Sequence, residues 1–258
     1  VGSMISDFAP DASFLTIVLA GVVIFAASFA RGYSGFGFST ILMVGLLPVI
    51  PASQLVPLSI ALEILASSSQ APRILPDINR RYLGILLGAS LIGAPAGIFL
   101  LSYVAESTLR MIVYGVVFAS TGLLLLSASR PVSITMPRLV LAGLIAGAAN
   151  GATALSGLVL ALFFTSSTIE STAMRATLIA YLFFVDLITG GLLFAAGHFE
   201  TITFWLILAA IPVMLAGIWL GSRHFFATPS DSFKTRVLWL LLAFCIAGVG
   251  QMLVYGFR

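Results

Sequence analysis

Arg31, Gly32, Tyr33, Ser34, Gly35, Phe36 and Gly37, followed by Ser39, set one guanidinium, three hydroxyls and three glycines inside an apolar run. These are the groups that hold an oxyanion. A guanidinium and hydroxyls donate to its oxygens, and a helix that begins after glycines offers free N–H groups at its positive end. A second polar stretch, Asn150, Gly151, Thr153, Ser156 and Gly157, supplies hydrogen-bonding groups without charge. Together they predict a binding site with one cationic and one neutral side, suited to an anion of one or two charges with several acceptor oxygens. The competing reading is a pair of small-residue helix-packing faces, with Arg31 snorkelling to an interface.

Two carboxylates, Glu63 and Asp186, lie within apolar segments. Ionisable groups at membrane depth either do functional work, here carrying a coupled proton, or hold a partner in place. Arg175 reads as an interfacial anchor or a ligand, and Gln70 and Tyr181 as helix–helix hydrogen-bonding residues near a gate. The tetrapeptide Gly32-Tyr33-Ser34-Gly35 also fits the Gly-x-Ser-Gly pattern of rhomboid-like intramembrane serine proteases, a chemistry that needs a histidine beside the serine. The two histidines, His198 and His224, fall at segment ends. There is no Walker loop, no His-Glu-x-x-His and no cysteine–histidine metal spacing, so no cofactor is indicated.

The elements that carry these residues follow from composition. Hydrophobic residues make up 60% of the chain and charged residues 8%, with a mean hydropathy of +1.16. Soluble domains carry about 25% charge, so the expected class is an all-α polytopic membrane protein in a lipid bilayer. The apolar runs are continuous, which excludes the alternating strands of a β-barrel. The single cysteine, Cys245, cannot form an internal disulfide. No basic run suggests nucleic acid, and nothing in the sequence indicates an oligomer. Val1-Gly2-Ser3 ahead of Met4 reads as an expression remnant, and the first apolar segment, lacking a basic flank, as a retained one.

The order of small residues suggests duplication into a first repeat, 4–130, and a second, 131–258. Gly21, Ser34 and Gly35 find the same residue types 122 positions later, which sets Thr153 opposite Arg31. Ser53 matches Ser171, and Ala96-Gly97-Ile98 matches Ala216-Gly217-Ile218. Each half then reads as a polar-interrupted stretch, 12–49 or 137–168, followed by spans at 52–71, 82–104 and 107–127, or 171–195, 201–222 and 234–256. As one helix, 12–49 would run about 57 Å, nearly twice the ~30 Å hydrocarbon core. A hairpin that turns at Arg31–Gly37, with a short helix from near Phe36, resolves this. The second would turn through 150–157.

Positive charge supports hairpins. If each interrupted stretch returns to its starting side, Arg73, Arg80, Arg81, Arg130, Arg138, Arg175, Arg223, Lys234 and Arg236 share one face, against Arg110 and Arg258. If each crosses, the split is six against five. Three crossings per half make two inverted-topology repeats, an architecture that binds substrate near the midplane, with both termini outside the cytoplasm.

The run from Ala30 to Gln70, beginning "ARGYSGFGFST", its echo "AGAANGATALSGLVLALFF" and the two-fold organisation resemble the TauE/SafE sulfite-exporter family. The resemblance implies a bacterial inner-membrane permease that moves sulfite or organosulfonates such as sulfoacetate outward, with no cofactor and no ATPase partner. Many members are glycine-richer where this chain has "ATALSG". An anion channel is the nearest alternative.

Overall fold

The computed structural model describes residues 14–127, 133–165, 167 and 169–226, with positions 239, 246 and 250. Among the described residues the regular elements are nine α-helices and one 3-10 turn, with no strand. They are α1 (Phe14–Ser34), α2 (Phe38–Leu46), α3 (Ala52–Ile74), the 3-10 turn Leu75–Asp77, α4 (Arg80–Tyr103), α5 (Glu106–Ser127), α6 (Met136–Thr153), α7 (Ser156–Thr165), α8 (Ser171–Ala195) and α9 (Thr201–Phe226). The predicted spans agree within a few residues, α8 at both ends. The predicted span 234–256, the charges Arg130, Lys234, Arg236 and Arg258, residues 1–3 and Cys245 lie outside the described residues.

Both interrupted stretches are broken in the structure, but over less chain than predicted. Arg31 to Ser34 remain helical, and only Gly35, Phe36 and Gly37 separate α1 from α2. Asn150, Gly151 and Thr153 are the last turn of α6, and only Ala154 and Leu155 precede α7. The short helix begins at Phe38, with Gly37 as its N-cap, rather than near Phe36. A helix retains its i→i−4 bonds until a residue needs a conformation the helix forbids. That point comes at Gly35 and Gly37, with φ of 83° and 92°, and at Ala154, with φ of 56°. The chain then turns back on itself. A Cβ placed on Gly45 of α2 would lie 2.6 Å from Val23 Cγ1 of α1, a contact open to a hairpin and not to a broken span that continues across.

The outer surface is apolar, and the interior sets buried polar and charged groups, Arg31, Glu63, Arg175 and Asp186 among them, within an apolar core. Ile92 and Phe99 of α4, Phe118 of α5, Leu141 of α6 and Trp205 and Leu208 of α9 are all more than half exposed. Four helices among the described residues are long and apolar enough to cross a membrane: α1, α4, α8 and α9. Predicted spans α3 and α5 are not among them. Helix α3 has the length but carries Ser59, Glu63, Ser67 and Gln70, all buried. Facing protein rather than lipid, it does not need an apolar surface.

Packing pairs helices across the chain's two halves. Helix α1 lies on α9, α6 lies on α4, and α3 lies against α8. Small residues make the first two contacts close, because without a Cβ the backbones can approach. A Cβ on Gly143 would stand 2.7 Å from Leu86 O, and one on Gly147 2.7 Å from Ser90 Cα. At the other pair, a Cβ on Gly217 would stand 2.6 Å from Ser28 Cβ. Helix α2 is almost wholly enclosed, with eight of its nine residues buried.

Candidate functional site

Glu63 is the middle residue of the 23-residue α3, with about 16 Å of helix on either side. Arg31 reaches it from the last turn of α1. The Arg31 side chain is fully buried, with Nε 3.1 Å from Glu63 Oε2. One terminal nitrogen donates to the Gly35 carbonyl and the other to Ser67 Oγ at 2.5 Å. The second Glu63 oxygen accepts from Ser39 Oγ at 2.9 Å and from Ser39 N at 3.4 Å. One carboxylate thus fastens both sides of the first break. In this conformation Arg31 is charge-paired, and the Ser39 N–H in the first turn of α2 meets Glu63, so the anion cradle expected from Arg31 and Ser39 is closed.

Arg175, expected at an interface, is buried in the first turns of α8. Its Nη2 donates to Gly32 O at 2.7 Å and its Nε to Tyr33 O at 3.3 Å, capping the end of α1. Carbonyls at a helix C-terminus lack partners and carry the negative end of the dipole, so a guanidinium satisfies both needs. Ser222 Oγ of α9 donates to Gly32 O at 3.2 Å and accepts from Gln70 Nε2 at 3.2 Å and Arg175 Nη2 at 3.4 Å. A cavity of about 250 Å³ opens here, lined by Ser69, Gln70, Arg175 and Ser222 on one side and Leu215, Ile218 and Trp219 on the other. Gln70 Oε1 is buried and has no hydrogen-bond partner. Gly35 touches both arginines: its carbonyl accepts from Arg31, and an added Cβ would come 2.9 Å from Arg175 Cγ.

The second break has its own cluster. Asn150 Nδ2 donates to Asp186 Oδ1 at 2.9 Å and to Thr189 Oγ1 at 3.1 Å. Ser156 Oγ donates to Asn150 Oδ1 at 2.6 Å, joining the two sides of the break. Gly157 stands against Phe36, where an added Cβ would lie 3.4 Å from Phe36 Cβ, so the two tips meet. Tyr181 hydrogen-bonds Ser90 Oγ of α4 at 2.8 Å. The Tyr33 ring turns to α9, 5.8 Å from the His224 ring.

Local geometry corrects the pairing of Arg31 with Thr153. Ser34 Oγ donates to Ala30 O, four residues back, at 2.8 Å, and Thr153 Oγ1 does the same to Ala149 O at 2.8 Å. Each is the last helical residue, and Gly35 and Ala154 follow with positive φ. In this register Arg31 matches Asn150. The offset of 122 taken from Ser34 and Ser156 misplaces them, because one ends a helix and the other begins one.

Sequence reasoning missed Ser67, Thr189 and Ser222. The first two carried a signal, standing four and three residues after Glu63 and Asp186 on the same helical face. Ser222 carried no comparable signal.

The protease reading lacks its base. Ser34 Oγ is engaged with the Ala30 and Phe36 carbonyls at 2.8 Å each, while His198 bonds Ser102 and His224 packs on Tyr33 and Phe29. Among the described residues no group of three or more His, Cys, Asp or Glu could hold a metal ion. No match was found among curated proteins or solved structures. The profile of the family described as "Sulfite exporter TauE/SafE" matches residues 19–248. A bundle with lipid-compatible outer faces and a guanidinium-lined cavity accords with that match, and the chain belongs to the TauE/SafE sulfite exporter family of membrane transporters, not enzymes.

Proposed function

We propose that this chain exports small sulfur-containing oxyanions, sulfite or short organosulfonates, across a bacterial inner membrane. The cavity at Arg175 is the entry site. The observation that carries this reading is the position of that cavity, one glycine away from Arg31. Gln70, Arg175 and Ser222 each lie about four residues from an end of α3, α8 or α9, at the end where Arg80, Arg81 and Arg223 cluster. By the positive-inside rule that end is cytoplasmic, so an outbound anion meets Arg175 first.

From Arg175 the anion passes Gly35 and reaches Arg31 by displacing Glu63. An oxyanion and the Glu63 carboxylate compete for one guanidinium, so protonation of Glu63 frees Arg31 for substrate and links the anion to a proton. Alternating access follows from movement of one half against the other. The halves, 4–130 and 131–258, are inverted repeats in this reading. The cross-half pairs α1 with α9 and α6 with α4 support it, as does the matched geometry of the two breaks.

Proteoliposomes loaded with labelled sulfite test the proposal. Efflux saturates with concentration, and Arg175→Lys, Gln70→Ala and Ser222→Ala each raise the concentration for half-maximal rate. Unchanged kinetics in all three, or conductance resolvable as single openings, would reject it.

A further inference from the structure

The two hairpins meet the same electrostatic problem with different chemistry. Each ends a helix in the membrane interior, leaving carbonyls and a negative dipole end, and each has a buried carboxylate on the neighbouring helix. At the first break two guanidiniums answer this. Arg31 pairs with Glu63 and bonds Gly35 O, and Arg175 bonds Gly32 O and Tyr33 O. At the second break the matching position is Asn150, and the groups gathered there are oxygens: the Asp186 carboxylate, the Asn150 amide, Thr189 Oγ1 and Ser156 Oγ. Asp186 is 1% exposed. Its Oδ2 has no hydrogen-bond partner, and no cationic side chain among the described residues forms an ion pair with it.

We propose that this cluster is a sodium site, held by Asp186, Asn150 Oδ1, Thr189 Oγ1 and Ser156 Oγ beside the C-terminal end of α6. One formal negative charge with neutral oxygens suits a hard monovalent cation. Nitrogen and sulfur donors for a transition metal are not part of it. The amide of Asn150 turns about its terminal torsion to bring Oδ1 to the ion. Ser156 Oγ then accepts from Nδ2 instead of donating to Oδ1, so their hydrogen bond is exchanged rather than lost. Half-helix C-termini and interrupted backbone are the recurrent places where transporters bind coupling cations. The cation does at Asn150 what the guanidinium does at Arg31.

Arg31 and Glu63 lie within electrostatic range of Asp186. A sodium ion there offsets the Asp186 charge next to the Arg31 centre and favours an anion at it, and the coupling is reciprocal. The site itself does not depend on which anion is carried.

The test uses the full chain in detergent without sulfur oxyanions. Sodium chloride replaces choline chloride at constant ionic strength while the melting temperature is followed. It is expected to rise with sodium and saturate. Asp186→Asn abolishes the response, Thr189→Val shifts its midpoint to ~tenfold higher sodium, and Arg175→Lys leaves it intact. Equal melting in sodium and choline overturns the proposal, as does a wild-type sodium midpoint in Thr189→Val. A response that survives in folded Asp186→Asn, or stability that follows pH and not sodium, also overturns it. Sulfite efflux is a separate readout, so failure of the anion reading leaves this result standing.

Discussion

Glu63→Gln separates the ion pair from the packing around it. The substitution keeps the side-chain volume and an oxygen to accept from Ser39, whose hydroxyl stands 2.9 Å from Glu63 Oε1. What it removes is the negative charge 3.1 Å from Arg31 Nε. Arg31 is then a buried cation whose remaining partners are the Gly35 carbonyl and Ser67 Oγ. Breaking a buried pair by removing one partner costs about 3–5 kcal/mol, and the two surviving hydrogen bonds place this case near ~3 kcal/mol. If the route from Arg175 leads to Arg31, an oxyanion can take the place of Glu63. At about a hundred times its Kd a ligand returns ~2.7 kcal/mol, close to the full loss. The assay is denaturant unfolding in detergent, followed by tryptophan fluorescence, with sulfite against chloride at constant ionic strength. Stability within ~0.5 kcal/mol of the parent, the usual scatter of a neutral substitution, would show that Glu63 does not hold Arg31. The full loss with no recovery in sulfite would show that Arg31 is a structural cation and no stop on the anion's path.

Two further outcomes follow from backbone geometry and topology. Ala154 sits at φ 56°, where an L-residue pays ~1–2 kcal/mol, partly offset in glycine by chain entropy of ~0.5–1 kcal/mol. Ala154→Gly is expected to stabilise by about 0.5–1 kcal/mol. Gly37→Ala, with open space around the new methyl, is expected to destabilise by a similar amount, so opposite signs in thermal melts check the argument. For topology, single cysteines at Asp77 and Glu200, both exposed, in a Cys245→Ser background react with impermeant maleimide from opposite faces. Labelling of both from one side would refute the three-crossing reading.

Much of the architecture was legible because lipid imposes a simple code. Continuous apolar runs of about twenty residues gave the helices, and α8 fell on its predicted limits because Glu170 and Ser171 bracket it at one end and Gly197 and His198 at the other. The excess length of 12–49 announced a break, and glycines marked its place. The exact extent was not legible, since Arg31 to Ser34 stay helical for as long as each N–H finds a carbonyl four residues back. The roles of the arginines were the harder question. Sequence can show that a buried cation needs a partner, but Glu63 lies 32 positions from Arg31 in the chain and on another helix. Arg175 looked interfacial from its place near a segment end, because the helix end it caps belongs to the far half of the chain. Asn150 could not be matched to Arg31 by residue type, since the correspondence lies in what each helix end does.

The pairing of α1 with α9 also sets a schedule. Gly32 and Ser222, joined across that contact, are 190 residues apart. At synthesis rates of roughly 5–20 residues per second, the first hairpin waits about ten to forty seconds for its partner. During that interval Arg175 and Ser222, the groups that cap the end of α1, have yet to be made. Biogenesis therefore has to shelter an unfinished hairpin, and the first half becomes a committed structure only when the second half arrives to close it.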